Sequence, residues 1–137
     1  MTLKKLRSDL LGSIDCSLVE IEGYYQAELI LEALRDSSNL VKKLNEMNPE
    51  ALSDSSERND FFRLRKKAYR LHVAVIEARV SLLQTGPEHH NSSRMILALL
   101  TEAIVYSREM RMPSLQRLRS TYTDLCRNYS DPIIIIP

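Results

Sequence analysis

The sequence predicts an all-α protein, with four to five mostly antiparallel amphipathic helices arranged as a bundle or as stacked helical hairpins. Three observations carry this. Apolar residues recur at steps of three and four along nearly all of the 137 residues. Only three Gly occur, while Leu, Glu, Lys and Arg, all good helix formers, are plentiful. The single run of strand character is Ile133-Ile134-Ile135-Ile136.

Leu3, Leu6, Leu10, Ile14, Leu18 and Ile21 lie on one helical face. Gly23 stands where that stripe ends. It either stops the helix or is carried within it at a cost of about 1 kcal/mol. A second stripe resumes at Tyr24 and runs through Ala27, Ile30, Leu31, Leu34, Val41 and Leu44. Asp36-Ser37-Ser38-Asn39 is its weak point, because these side chains compete for backbone hydrogen bonds, and a kink or break is expected there. Pro49 ends the segment. Residues 48–60 read as a mobile internal loop, with Asp54 and Glu57, or Asn59 and Asp60, available to cap the third helix. That third segment, 60–84, is the strongest helix, with Phe61, Leu64, Ala68, Leu71, Val75, Ala78 and Leu82 in register. Residues 84–91 form a turn. Ser92 or Ser93 caps a fourth helix over 93–111, carrying Ile96, Leu99, Leu100, Ala103, Ile104 and Met110. Pro113 suits the first position of a fifth helix over 113–129, with Leu115, Leu118, Tyr122 and Leu125. Asp131-Pro132 ends it. The expected organisation is one helical domain over 1–131 and an extended apolar tail over 132–137. Four free isoleucines would be an aggregation hazard, so the tail is expected to dock on this chain or on a partner.

Composition narrows the class. The apolar share of 44% and charged share of 27% are those of an ordinary globular protein. No Trp is present and aromatics make up 6%, too few for a nucleic-acid binder built on stacking platforms. The start carries Lys4, Lys5 and Arg7 but no apolar stretch behind them, so no secretory leader is read. An intracellular, cytoplasmic protein is expected, with the nucleus as the alternative. Cys16 and Cys126 are then reduced thiols, expected in the core.

Charge is divided along the chain. Residues 1–60 hold seven Lys/Arg and twelve Asp/Glu, a net of −5, and residues 61–137 hold twelve and six, a net of +6. The densest basic cluster is Arg63, Arg65, Lys66, Lys67 and Arg70. Arg63, Lys66, Lys67 and Arg70 share a face away from Leu64, Ala68 and Leu71. That face is a candidate docking stripe for an acidic partner or a phosphate backbone. Ser53, Ser55 and Ser56 beside Asp54 and Glu57 are candidate regulatory sites, since phosphate ahead of a helix and its arginines is favourably placed.

Two stretches resemble tetratricopeptide-type repeats. In residues 22–34, Gly23 and Tyr24 precede the small Ala27, and Ala33-Leu34 comes one to two turns later, as in the second helix of such a repeat. Residues 98–109, with Pro113 and another amphipathic helix after them, resemble a repeat boundary. The likeness implies stacked helical hairpins. The chain departs from the pattern in spacing: Ala27 and Ala103 are 76 residues apart, which is no multiple of the 34-residue period.

Catalytic constellations find little support. Glu88, His89 and His90 are neighbours in a turn with no further ligand at metal-site spacing. His72 reads as a boundary residue on the charged third helix. Glu20, Glu28 and Glu32 lack the Glu-x-x-His partners of a carboxylate di-metal site. Three glycines at 12, 23 and 86 build no phosphate loop. Residues 107–119 resemble a helix-turn-helix in outline, but Arg117 falls where that motif wants an apolar residue. The expectation is therefore a non-catalytic interaction module without metal or cofactor, an adaptor or assembly subunit. Its instruments are Arg63, Lys66, Lys67 and Arg70 together with Ile133, Ile134, Ile135 and Ile136. Its partner is another protein or its own subunits, with nucleic acid bound by the basic second half as the alternative.

Overall fold

The chain is all-α over the residues that this computed structural model describes, 3–52, 54–85 and 93–128, with side chains described for 10–50, 52, 54–85 and 94–127. In order come α1 (Leu3–Gln26), α2 (Ile30–Glu46), a one-turn 3-10 helix (Pro49–Ala51), α3 (Ser55–Thr85), α4 (Ser93–Glu109) and α5 (Ser114–Asn128). No strand occurs among the described residues. Ser53, Glu88, His89, His90 and the tail residues Ile133, Ile134, Ile135 and Ile136 lie outside them.

The helices divide into two compact units, Met1–Val75 and Ile76–Pro137, and the boundary falls inside α3. In the first unit α1 contributes Ile14, Leu18 and Ile21 to the core, and α2 contributes Ile30, Ala33, Leu40, Val41 and Leu44. Phe61, Leu64, Ala68, Tyr69, Val73 and Val75 of α3 complete it, and Leu52 tucks in from the connection. In the second unit the core is Ile76, Val80, Leu83, Ile96, Leu97, Leu100, Ala103, Leu118 and Leu125.

The α1–α2 break is not at Gly23. The helix runs on to Gln26 and turns over residues 27–29. Glu28 takes the left-handed conformation, with φ 64°. Its N–H donates to Tyr25 O at 3.2 Å, and Leu29 N–H donates to Tyr24 O at 2.9 Å. These two bonds are a Schellman closure, which normally recruits glycine at the left-handed position. The α4–α5 junction repeats it. Arg111 has φ 51°, Arg111 N–H donates to Arg108 O at 3.2 Å, and Met112 N–H donates to Ser107 O at 2.8 Å. Both hairpins therefore turn on a side chain that disfavours the turn. Glu28→Gly is expected to stabilise the protein by about 0.5–1 kcal/mol, the left-handed penalty less the added freedom of the unfolded chain. A lower melting temperature for this variant would show that the Glu28 side chain contributes more than its backbone costs.

Two other expectations change. The helix does not break at Asp36-Ser37-Ser38-Asn39; α2 continues through it. Ser37 turns its hydroxyl inward, to Leu34 O at 3.2 Å and to His72 Nδ1 at 2.7 Å. Nor does the loop extend over 48–60, because α3 begins at Ser55. Asn48 Oδ1 accepts from Glu50 N–H at 3.0 Å and starts the short 3-10 turn, with Pro49 at its first position. Asp54 Oδ1 then accepts from Ser56 N–H at 2.9 Å, so Asp54 is the cap that opens α3.

Candidate binding face on α3

The first half of α3 is positioned by its apolar stripe. Phe61, Leu64 and Ala68 are buried, and this forces Arg63, Lys66, Lys67 and Arg70 outward, where all four are exposed. Arg63 Nη2 lies 3.5 Å from Asp60 Oδ1 in a pair open to water, which adds little to stability. Among the described residues no ion pair joins Lys66, Lys67 or Arg70 to a carboxylate. Lys66, Lys67 and Arg70 are therefore cations without an ion-pair partner among the described residues, and Arg63 keeps only its weak one.

The division of charge along the sequence does not become a division between the two units. Residues 1–75 carry twelve basic and twelve acidic side chains, and residues 76–137 carry seven and six. The acidic α1–α2 segment and the basic start of α3 belong to the same unit. One edge of the basic face feels this directly. A shallow groove is lined by Leu11, Gly12 and Asp15 of α1 and by Asp60, Arg63, Leu64 and Lys67 of α3. The other edge carries Arg58, Phe62, Arg65 and Lys66. There Phe62 is 43% exposed, and the Arg65 guanidinium lies 5.1 Å from its ring centroid and 5.9 Å from that of Tyr69. The Tyr69 hydroxyl is tied to Asn45 of α2. Arg65 Nε is buried without an acceptor.

Ser55 and Ser56 occupy the first turn of α3, exposed and ahead of Arg58. Glu57, the next residue, faces inward. It is 7% exposed, and neither carboxylate oxygen has a hydrogen-bond partner. It does not act as the reciprocal partner of Asp54, and the positive end of α3 is the compensation its position offers.

Several sequence expectations are corrected. His72 is no boundary residue: it is 0% exposed and bonded to Ser37, itself 1% exposed. Neither cysteine is a core thiol, for Cys16 is exposed and Cys126 half-buried. Ala27, Leu31 and Leu82 leave their stripes and are exposed. Arg117 is paired across the second unit, with Nε and Nη2 at 3.1 and 2.9 Å from the Glu77 carboxylate. That carboxylate raises the Arg117 pKa above its ordinary value, through hydrogen bonding first and charge second.

Among the described residues no group of three or more His, Cys, Asp or Glu side chains is placed to hold a metal ion, and no helix is long and apolar enough to cross a membrane. No protein-family profile, curated protein or solved structure matches the chain.

Proposed function

We propose that this protein is a non-catalytic interaction module that works inside the cell, as an adaptor or a subunit of an assembly, and that it docks an acidic protein surface on the basic face of α3. The supporting observation is the exposed row Arg63, Lys66, Lys67 and Arg70, in which three cations have no carboxylate partner among the described residues. A face that served only the fold would be expected to spend its cations on neighbouring acids, as Arg117 does on Glu77. Among the described residues the one Ser–His pair that resembles catalytic machinery is Ser37 with His72, and it is buried inside the first unit, where no substrate reaches it. The apolar tail, Ile133 to Ile136, is proposed as a second contact with the partner.

The test is charge reversal. Lys66→Glu, Lys67→Glu and Arg70→Glu together are expected to leave the melting temperature within a few degrees, since exposed positions away from the core change stability by roughly 0.5 kcal/mol or less each. Capture of a partner from native lysate should fall at least about tenfold, as like charges replace complementary ones. If the triple variant unfolds, those cations serve the acidic α1–α2 segment and the proposal fails. Nucleic acid is the alternative partner. A steep fall of affinity for RNA or DNA with rising salt would favour it. Ser55→Glu with Ser56→Glu, mimicking phosphate beside Arg58, is expected to weaken capture in the same assay. Unchanged capture removes the regulatory role from these serines.

A further inference from the structure

The two edges of the basic face differ in kind. Lys67 and Arg63 border a groove that already contains Asp15 and Asp60. The Arg58–Phe62–Lys66 edge, whose members stand one helical turn apart, forms no ion pair among the described residues, and its nearest acid along the row is Asp54, the cap of the helix. Within it Arg65 is held in an unusual way. Its guanidinium lies over two aromatic rings, those of Phe62 and Tyr69, at 5.1 and 5.9 Å from their centroids. Tyr69 is itself fixed, being 1% exposed and bonded to Asn45. No ion pair joins Arg65, Arg58 or Lys66 to a carboxylate among the described residues, and Arg65 Nε has no acceptor.

Stacking neutralises no charge. It restricts the rotamers of the guanidinium, so less freedom is lost when an anion arrives. A single carboxylate would balance one of the three cations. A phosphate monoester brings close to two charges and three acceptor oxygens, which suits a planar guanidinium flanked by two further cations. The half-exposed Phe62 ring beside it offers a flat apolar platform for whatever carries the phosphate. We infer that the Arg58–Phe62–Arg65–Lys66 edge is a receptor for a phosphorylated side chain of a protein partner, with Arg65 as the anion-binding residue and Phe62 as the platform. This rests on the proposed docking role of α3 and names the group that the partner presents.

Phenyl phosphate, which joins a dianion to a flat ring, is the probe for the site. Titrated at constant ionic strength, it is expected to shift the Arg65 Nε–H resonance and the Phe62 ring signals to saturation. Benzoate, with the same ring and one charge, should bind about fivefold or more weakly. Arg65→Gln should abolish the saturating shift of Phe62 while the melting temperature holds. The inference is overturned by the absence of a saturating shift, by benzoate binding as tightly as phenyl phosphate, or by a Phe62 shift that survives Arg65→Gln. The wild-type measurement stands even if a variant does not fold. A degenerate peptide pool centred on phosphotyrosine, whose side chain is a phenyl phosphate, identifies the source: retention on immobilised wild type but not on Arg65→Gln supports a protein partner. Retention of labelled oligouridylate, with the peptide pool passing through, overturns it. If phenyl phosphate fails while reversal of Lys66, Lys67 and Arg70 still abolishes capture, only this inference falls, and the docking role stands.

Discussion

Replacing His72 with Ala is expected to be among the most damaging single changes in the first unit. The ring is fully buried, packed beneath α2, and bonded to Ser37 at 2.7 Å. Removing it opens a ring-sized cavity in a core that cannot collapse freely, for which large-to-small changes cost about 3 kcal/mol or more. It also takes from the buried Ser37 hydroxyl one of its partners, worth roughly 1 kcal/mol. The melting temperature should fall by about 10 °C or more. Ser37→Ala, which removes only the hydroxyl, should cost about 1–2 kcal/mol. The hydroxyl has one hydrogen to give. It contacts both Leu34 O and His72 Nδ1, so both contacts are hydrogen bonds at once only if Nδ1 carries the ring proton. A double-mutant cycle measures the pair: a coupling near zero would mean that the Ser37–His72 contact itself adds nothing to stability.

That pair also shows where the sequence was legible and where it was not. The third, fourth and fifth helices announce themselves by long uninterrupted stripes, and α4 and α5 lie within two residues of the expected bounds. The basic face was legible for the same reason, because burying Leu64 and Ala68 leaves Arg63, Lys66, Lys67 and Arg70 no other direction. Two of the misreadings share a cause: each depended on a partner distant in sequence. Asp36-Ser37-Ser38-Asn39 reads as a helix breaker while Ser37 is considered alone, and becomes a helix interior once His72, 35 residues later, takes up its hydroxyl. His72 reads as a boundary residue for the converse reason. The hairpin turns were illegible differently. A Schellman closure is recognised by its glycine, and Glu28 and Arg111 stand where glycine would. Gly23, the glycine actually present, lies inside α1 with nothing near the Cβ it lacks. The aromatic seat of Arg65 is spread over positions 62, 65 and 69, a spacing visible in the sequence, but the Asn45 anchor that fixes Tyr69 comes from another helix.

Leu118→Ala is expected to destabilise both units together, although Leu118 belongs to the second. It is 2% exposed in the core formed with Leu100 and Val80, and its truncation should cost about 2–5 kcal/mol. How that loss spreads depends on α3. The helix is 31 residues long and runs through the boundary between Val75 and Ile76 without interruption. The second unit, Ile76–Pro137, takes its first three turns from α3. A unit of this size buries only about 60% of its unfolded surface and is marginal alone. When it opens, the end of α3 loses the packing that held it, and Ile76 and Val80 go into water. Helical stability comes mainly from such packing, so the loss should propagate back along the shared helix. Protection of α2 amides from hydrogen exchange, deep in the first unit, should therefore drop by about the same free energy as protection in α4 and α5. Melting should remain a single transition, the behaviour of one cooperative domain. Unchanged protection in α2 with a large loss in α4 and α5 would mean that the units unfold independently and that α3 is only a continuous connection between them.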